Sequence, residues 1–134
     1  MATSNDDPLN RLLADEIGVN RELLATTLED KVRIDRNRAS FTFLPGMRAQ
    51  LGTRGTILTA LLARKALFLL GADVVEAAEP RDIELISGVK GNTLRPALKQ
   101  LADRGLVRKN DDGYVVPDFA LEDVALGLGE ERVP

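Results

Sequence analysis

The stretch 57–70 dictates more than any other what this chain can become. Ile57, Leu58, Leu61, Leu62, Leu67, Phe68 and Leu70 recur at helical spacing but cover more than one stripe. A helix here, read as about 54–70 with Gly71 at its C-terminal cap, has to be surrounded by the rest of the chain. Arg64 and Lys65 interrupt the run, which is too short to span a bilayer. The 134 residues supply one domain around that helix, or one domain with an appendage. Four Phe, one Tyr and no Trp leave a core built mostly of Leu, Ile, Val and Ala.

The chain contains neither Cys nor His. Disulfides, a thiolate nucleophile, Fe–S clusters and Cys-based zinc sites are excluded, as are an imidazole base, a Ser-His-Asp triad and His-ligated metals. Gly52-Thr53-Arg54-Gly55-Thr56 lacks the Lys-Ser/Thr of a phosphate-binding loop. The carboxylate pairs Asp15-Glu16, Glu29-Asp30 and Glu130-Glu131 are adjacent in sequence, point apart on a helix and read as surface charge. No cofactor and no enzymatic activity are expected. The polar, acidic N-terminus is unlike a secretory signal or a transit peptide, so the expected location is the cytoplasm, without membrane contact.

The formal net charge of −3 conceals an alternation. Residues 1–30 carry two basic and seven acidic groups, 31–65 eight and one, 66–89 one and five, 90–109 six and one, and 110–134 one and seven. Two cationic segments, +7 and +5, therefore lie among three anionic ones, which matters more to a polyanion than the total does.

Residues 1–30 read as an acidic helical arm. Asp7-Pro8 starts a first helix with Leu9, Leu12, Leu13 and Ile17, stopped by Gly18; Asn20 caps a second, from Arg21 to about Glu29. Residues 31–44 change period: Val32 and Ile34, then Phe41 and Phe43, alternate with polar residues around 36–39, the pattern of a β-hairpin. Its apolar face is expected to meet the core. The other would carry Lys31 and Arg33, with Arg36 and Arg38 near the turn. These four cations read equally as a solvated basic edge that discourages strand pairing or as a polyanion contact, second to any made by the 90–109 segment.

Residues 80–117 read as one compact unit. Pro80 opens a helix to Ser87; Ser87-Gly88-Val89-Lys90-Gly91 turns; a further helix runs to about Arg104 with Leu94, Ala97, Leu98 and Leu101 on one face. Pro96 places the start of that helix at 92–93, capped by Thr93 or Asn92, so that little hydrogen bonding is lost. Gly105 caps its end. Strands at 106–109 and 114–116 flank a turn at 110–113. Residues 118–134 form a C-terminal helix and tail, with Asp118 as cap and Phe119, Leu121, Val124 and Leu126 to pack on the domain or on a second copy.

Helix, glycine turn, helix and short hairpin resemble the winged helix-turn-helix family of DNA-binding domains. The likeness rests on Ile83–Val89 and Thr93–Val107, and the ending LADRGLVRK is similar to the passage from recognition helix to first wing strand in bacterial and archaeal regulators. The implied fold class is α+β: a winged helix-turn-helix over 48–117 with an N-terminal helical arm and an additional β-hairpin. The implied function is sequence-specific binding of double-stranded DNA by a prokaryotic transcriptional regulator acting as a homodimer. The recognition helix, about 92–104, would enter the major groove. Asn92, Thr93 and Arg95 would read bases, and Lys90, Lys99, Arg108 and Lys109 would hold phosphates. Asp111 and Asp112 make the wing tip acidic, which argues against deep insertion. The alternative is a winged-helix protein-interaction module, a subunit of a transcription, segregation or plasmid-maintenance complex. In either case the arm or the C-terminal helix could meet a protein partner.

Overall fold

The computed structural model describes residues 8–9 and 20–129. In chain order the elements are α1 (Arg21–Leu28), β1 (Val32–Asp35), β2 (Ser40–Phe43), α2 (Met47–Leu69), α3 (Pro80–Ser87), α4 (Gly91–Asp103), β3 (Arg108–Asn110), β4 (Gly113–Val115), a 3-10 turn (Asp118–Ala120) and α5 (Leu121–Gly129). The class is α+β, with five α-helices and two separate two-stranded antiparallel sheets among the described residues. No helix among them is long and apolar enough to cross a membrane.

The multi-striped helix is central, as its pattern requires. Ile57, Leu58, Ala60, Leu61, Leu62 and Ala63 are each no more than 1% exposed. Against α2 pack α1, β1, β2, α3, α4, β4 and α5. Spacing predicts a start near Arg54. The structure begins α2 at Met47 and breaks it at Gly52, where a left-handed φ of 75° separates a short limb from the buried one. Thr59 is fully buried, and its hydroxyl has no hydrogen-bond partner.

The first hairpin has the predicted register, Val32 opposite Phe43 and Ile34 opposite Phe41, with the two Phe rings edge to face at 5.4 Å. One expectation fails here. Lys31 is not on the solvent face: it is 7% exposed, and its Nζ donates to the Thr27 carbonyl (2.8 Å) and the Asp30 carboxylate (3.0 Å). Its long apolar stem fills space beneath α1 while the ammonium finds oxygen at the helix end.

Asn20 caps α1 as predicted, its side-chain oxygen accepting from the Leu23 N–H at 2.9 Å. The helix expected over 9–17 lies outside the described residues beyond Leu9. Asp118 does not cap the C-terminal helix. Its carboxylate takes a hydrogen bond of 2.7 Å from Lys65, a lysine only 1% exposed that also pairs with Glu76. A buried ammonium needs such partners, and α5 starts without the predicted cap because its carboxylate is engaged there. On the other side α5 packs against α1 and α2 through Leu121, Val124 and Leu128.

Candidate nucleic-acid interface

α3 and α4 are joined by a turn that three groups hold. Gly88 adopts a left-handed conformation (φ 79°). The buried Ser87 hydroxyl donates to the Ile83 carbonyl (2.5 Å) and accepts from the Val89 N–H (3.1 Å). Arg48 donates to the Ser87 carbonyl (3.4 Å) while its guanidinium lies 5.6 Å from the centre of the Phe43 ring. Arg48 thus ties the first hairpin and the short limb of α2 to the turn. Nothing in its sequence neighbourhood marks it, because its partners are 5 and 39 residues away.

α4 begins at Gly91, with Lys90 at the N-cap position and no side-chain cap; the predicted start at 92–93 with Asn92 or Thr93 as cap is wrong. The Lys90 carbonyl accepts from both Thr93 N–H (3.0 Å) and Leu94 N–H (2.7 Å), so helical bonding starts one turn before Pro96. Burying Leu94 and Ala97 on the same face as Leu98 and Leu101 outweighs the bond lost at Pro96. The loss falls where it is cheapest. Pro96 and Asn92 are both exposed, so the Asn92 carbonyl stays open to solvent or a ligand.

At 100° per residue, Asn92, Arg95, Pro96 and Lys99 form one outward stripe, with Asp103 at its far end. Thr93 lies on the flank that carries Gln100, whose side chain accepts from Arg54 of α2 at 2.8 Å. Lys90, Asn92, Thr93 and Arg95 are exposed, and their side chains have no hydrogen-bond or ion-pair partner among the described residues. Lys99 pairs with Asp103 at 3.4 Å, an exposed contact that water and salt screen. The Glu84 carboxylate lies 2.5 Å from where a Cβ on Gly91 would sit, so the start of α4 has an anion beside Lys90.

The second hairpin is shifted from the expected strands, with β3 at 108–110, β4 at 113–115 and only Asp111-Asp112 between them. Asn110 closes this tight turn by accepting from the Asp112 N–H at 2.9 Å. Gly113 (φ 128°) passes so close to Ala78 that any Cβ would strike the Ala78 backbone. That approach allows Ala78 and Tyr114 to exchange backbone hydrogen bonds of 2.9 and 2.7 Å, which fastens the hairpin to the segment entering α3. Arg108 and Lys109, adjacent on a strand, leave on opposite faces. Arg108 lies 5.1 Å from the centre of the Phe119 ring, whereas Lys109 is exposed without a side-chain partner among the described residues.

The other predicted cations are engaged differently. Arg33 donates to the Glu29 and Val32 carbonyls (2.7 and 2.9 Å), Arg36 to the Leu70 carbonyl (3.5 Å), and Arg38 pairs with Asp35 (3.7 Å). With Lys31, Arg48, Arg54, Arg64 (to the Val75 carbonyl, 2.9 Å) and Lys65, every cation of the 31–65 segment contacts its own protein. In the 90–109 segment Lys90, Arg95, Arg104 and Lys109 have no side-chain partner among the described residues. Arg104 was not among the predicted contacts, and its place beside the Gly105 cap was the only signal for it.

No group of three or more acidic, His or Cys residues that could hold a metal occurs among the described residues. No family model, no curated protein and no solved structure matches this chain.

Proposed function

We propose that α2, α3, α4 and the β3–β4 hairpin form a winged helix-turn-helix that binds double-stranded DNA in a sequence-specific way, with α4 in the major groove. The observation that carries this reading is the outward stripe of α4. It joins groups able to read base edges (Asn92 and Arg95, flanked by Thr93) to Lys90 at the helix start, which has no side-chain partner among the described residues, and to Lys99, held only by an exposed ion pair with Asp103. Arg suits guanine and Asn suits adenine, each through two hydrogen bonds. Lys90, Lys99 and Lys109 hold phosphates on either side. Arg108, turned to Phe119, is omitted from the contact set. The acidic tip at Asp111-Asp112 keeps the wing beside the backbone and out of the groove. The protein acts as a homodimeric regulator of transcription, since one short helix gives limited discrimination and two half-sites multiply it.

Selection from a random pool of duplex DNA tests this. Enrichment of an inverted repeat, lost in the Arg95→Ala/Lys99→Ala variant, is the expected result. One observation favours the alternative of a protein-interaction module: Leu85 of α3 is 82% exposed, beside a groove of about 330 Å³ lined by Phe41, Phe43, Leu67 and Ile86. Recovery of no motif, with no DNA binding at low salt, would decide for that module.

A further inference from the structure

The first hairpin pairs β2 on one side only among the described residues, and its register shows which backbone groups the other edge presents. The Leu44 N–H donates to the Lys31 carbonyl at 2.8 Å, so these residues form a hydrogen-bonded pair of the antiparallel ladder. Bonded and non-bonded pairs alternate along such a ladder, which makes Val32–Phe43 and Ile34–Phe41 non-bonded pairs. The N–H and C=O groups of Phe41 and Phe43 therefore point away from β1, and no described residue bonds to them. β2 reads Ser-Phe-Thr-Phe, without the charge or proline that discourages a further strand.

The groove of about 330 Å³ runs along this edge. Ser40 and Thr42 from one face of β2 and Phe41 and Phe43 from the other all line it, and no residue of β1 does. Leu67 of α2 and Leu85 of α3 give it apolar surface, and Leu85 is 82% exposed. Its charge is one-sided, with Arg48 and Arg64 on the lining and no carboxylate. Both arginines have neutral partners: the Ser87 carbonyl and the Phe43 ring for Arg48, and the Val75 carbonyl for Arg64. A guanidinium carries five N–H donors, so each can take an anion without giving up those contacts.

We propose that this edge binds an extended, acidic and apolar segment of a partner protein as a third strand beside β2. The backbone groups of Phe41 and Phe43 continue the ladder. Alternate side chains of the added strand meet Leu67 and Leu85, and its carboxylates reach Arg48 and Arg64. The proposal does not rest on the DNA-binding reading, because no residue of α4 lines the groove.

Selection of a random-peptide display library on the full-length protein, followed by synthesis of the enriched peptide, tests it. Acidic, apolar sequences without proline are expected. The bound peptide should raise hydrogen-exchange protection of the Phe41 and Phe43 amides about tenfold or more. Thr42 should be unchanged, since its N–H already faces Arg33 in a bonded pair. Leu85→Glu and Arg64→Ala should each weaken binding about tenfold, and Ala102→Glu on the exposed side of α4 should not. Failure to enrich any peptide overturns the proposal, as do peptides that leave both amides unprotected or bind the Leu85→Glu protein undiminished. Strong protection of the two amides before any peptide is added also overturns it. A second copy then occupies the edge if the protection rises with protein concentration, and another part of this chain if it does not.

Discussion

The two cationic segments look alike in sequence and do opposite things in the fold. The larger, 31–65, contributes eight cations, and each contacts its own protein: Lys31 and Lys65 are buried, and the arginines are held by carbonyls, by Asp35 or by Gln100. The smaller, 90–109, has four of its six without a side-chain partner among the described residues, on or beside α4 and the second hairpin. Total charge alone, +7 against +5, points to the first. What separates them is whether a cation's position can be reached by the protein's own oxygen atoms. A polyanion would have to compete with those oxygens in one segment and would meet exposed donors in the other.

Four tests break or sharpen that contrast. The largest effect belongs to Lys65. Glu76→Gln with Asp118→Asn leaves its buried ammonium without a counter-charge, and urea unfolding should show a loss of about 3–5 kcal/mol; DNA affinity of the folded protein should be unaffected. Gly113→Ala tests the support of the second segment. The left-handed backbone alone costs roughly 1–3 kcal/mol, and the clash with Ala78 adds to it. Hydrogen exchange should show lost protection at the Ala78 and Tyr114 amides.

Arg95→Ala should weaken binding to a selected DNA site by roughly 1–3 kcal/mol, whereas Arg38→Ala in the first segment should change it by less than about 0.5 kcal/mol. Equal losses from the two would abolish the contrast. The smallest effect is a gain. Thr59→Val removes the unpartnered buried hydroxyl while keeping the shape, and should raise the unfolding free energy by up to about 1 kcal/mol. That change lies in the 31–65 segment but touches no cation, so it should leave DNA binding as it was.

Elements with a strong local period were legible in the sequence. The surrounded helix follows from apolar residues on several faces, the first hairpin from alternation at Val32, Ile34, Phe41 and Phe43, and α3 from Pro80 and Gly88. The buried face of α4 followed from spacing as well. Its start did not, because the rule against an internal proline is local while the burial of Leu94 that overrides it is tertiary. The engagement of the cations was equally illegible. Lys65 finds Asp118 53 residues along the chain, and Arg48 finds Ser87 39 residues along. The second hairpin shifted for a similar reason, since Gly113 is placed by its contact with Ala78 and not by the turn sequence around it.

The central claim, that the smaller cationic segment holds the nucleic acid, is tested most directly by the salt dependence of DNA binding. The logarithm of the association constant falls with the logarithm of salt concentration by about 0.9 per phosphate neutralised. Lys90→Ala/Lys109→Ala should therefore reduce that slope by about 2, and Arg36→Ala/Arg38→Ala should leave it unchanged. A slope reduced by the hairpin pair and untouched by the Lys90/Lys109 pair would contradict the account.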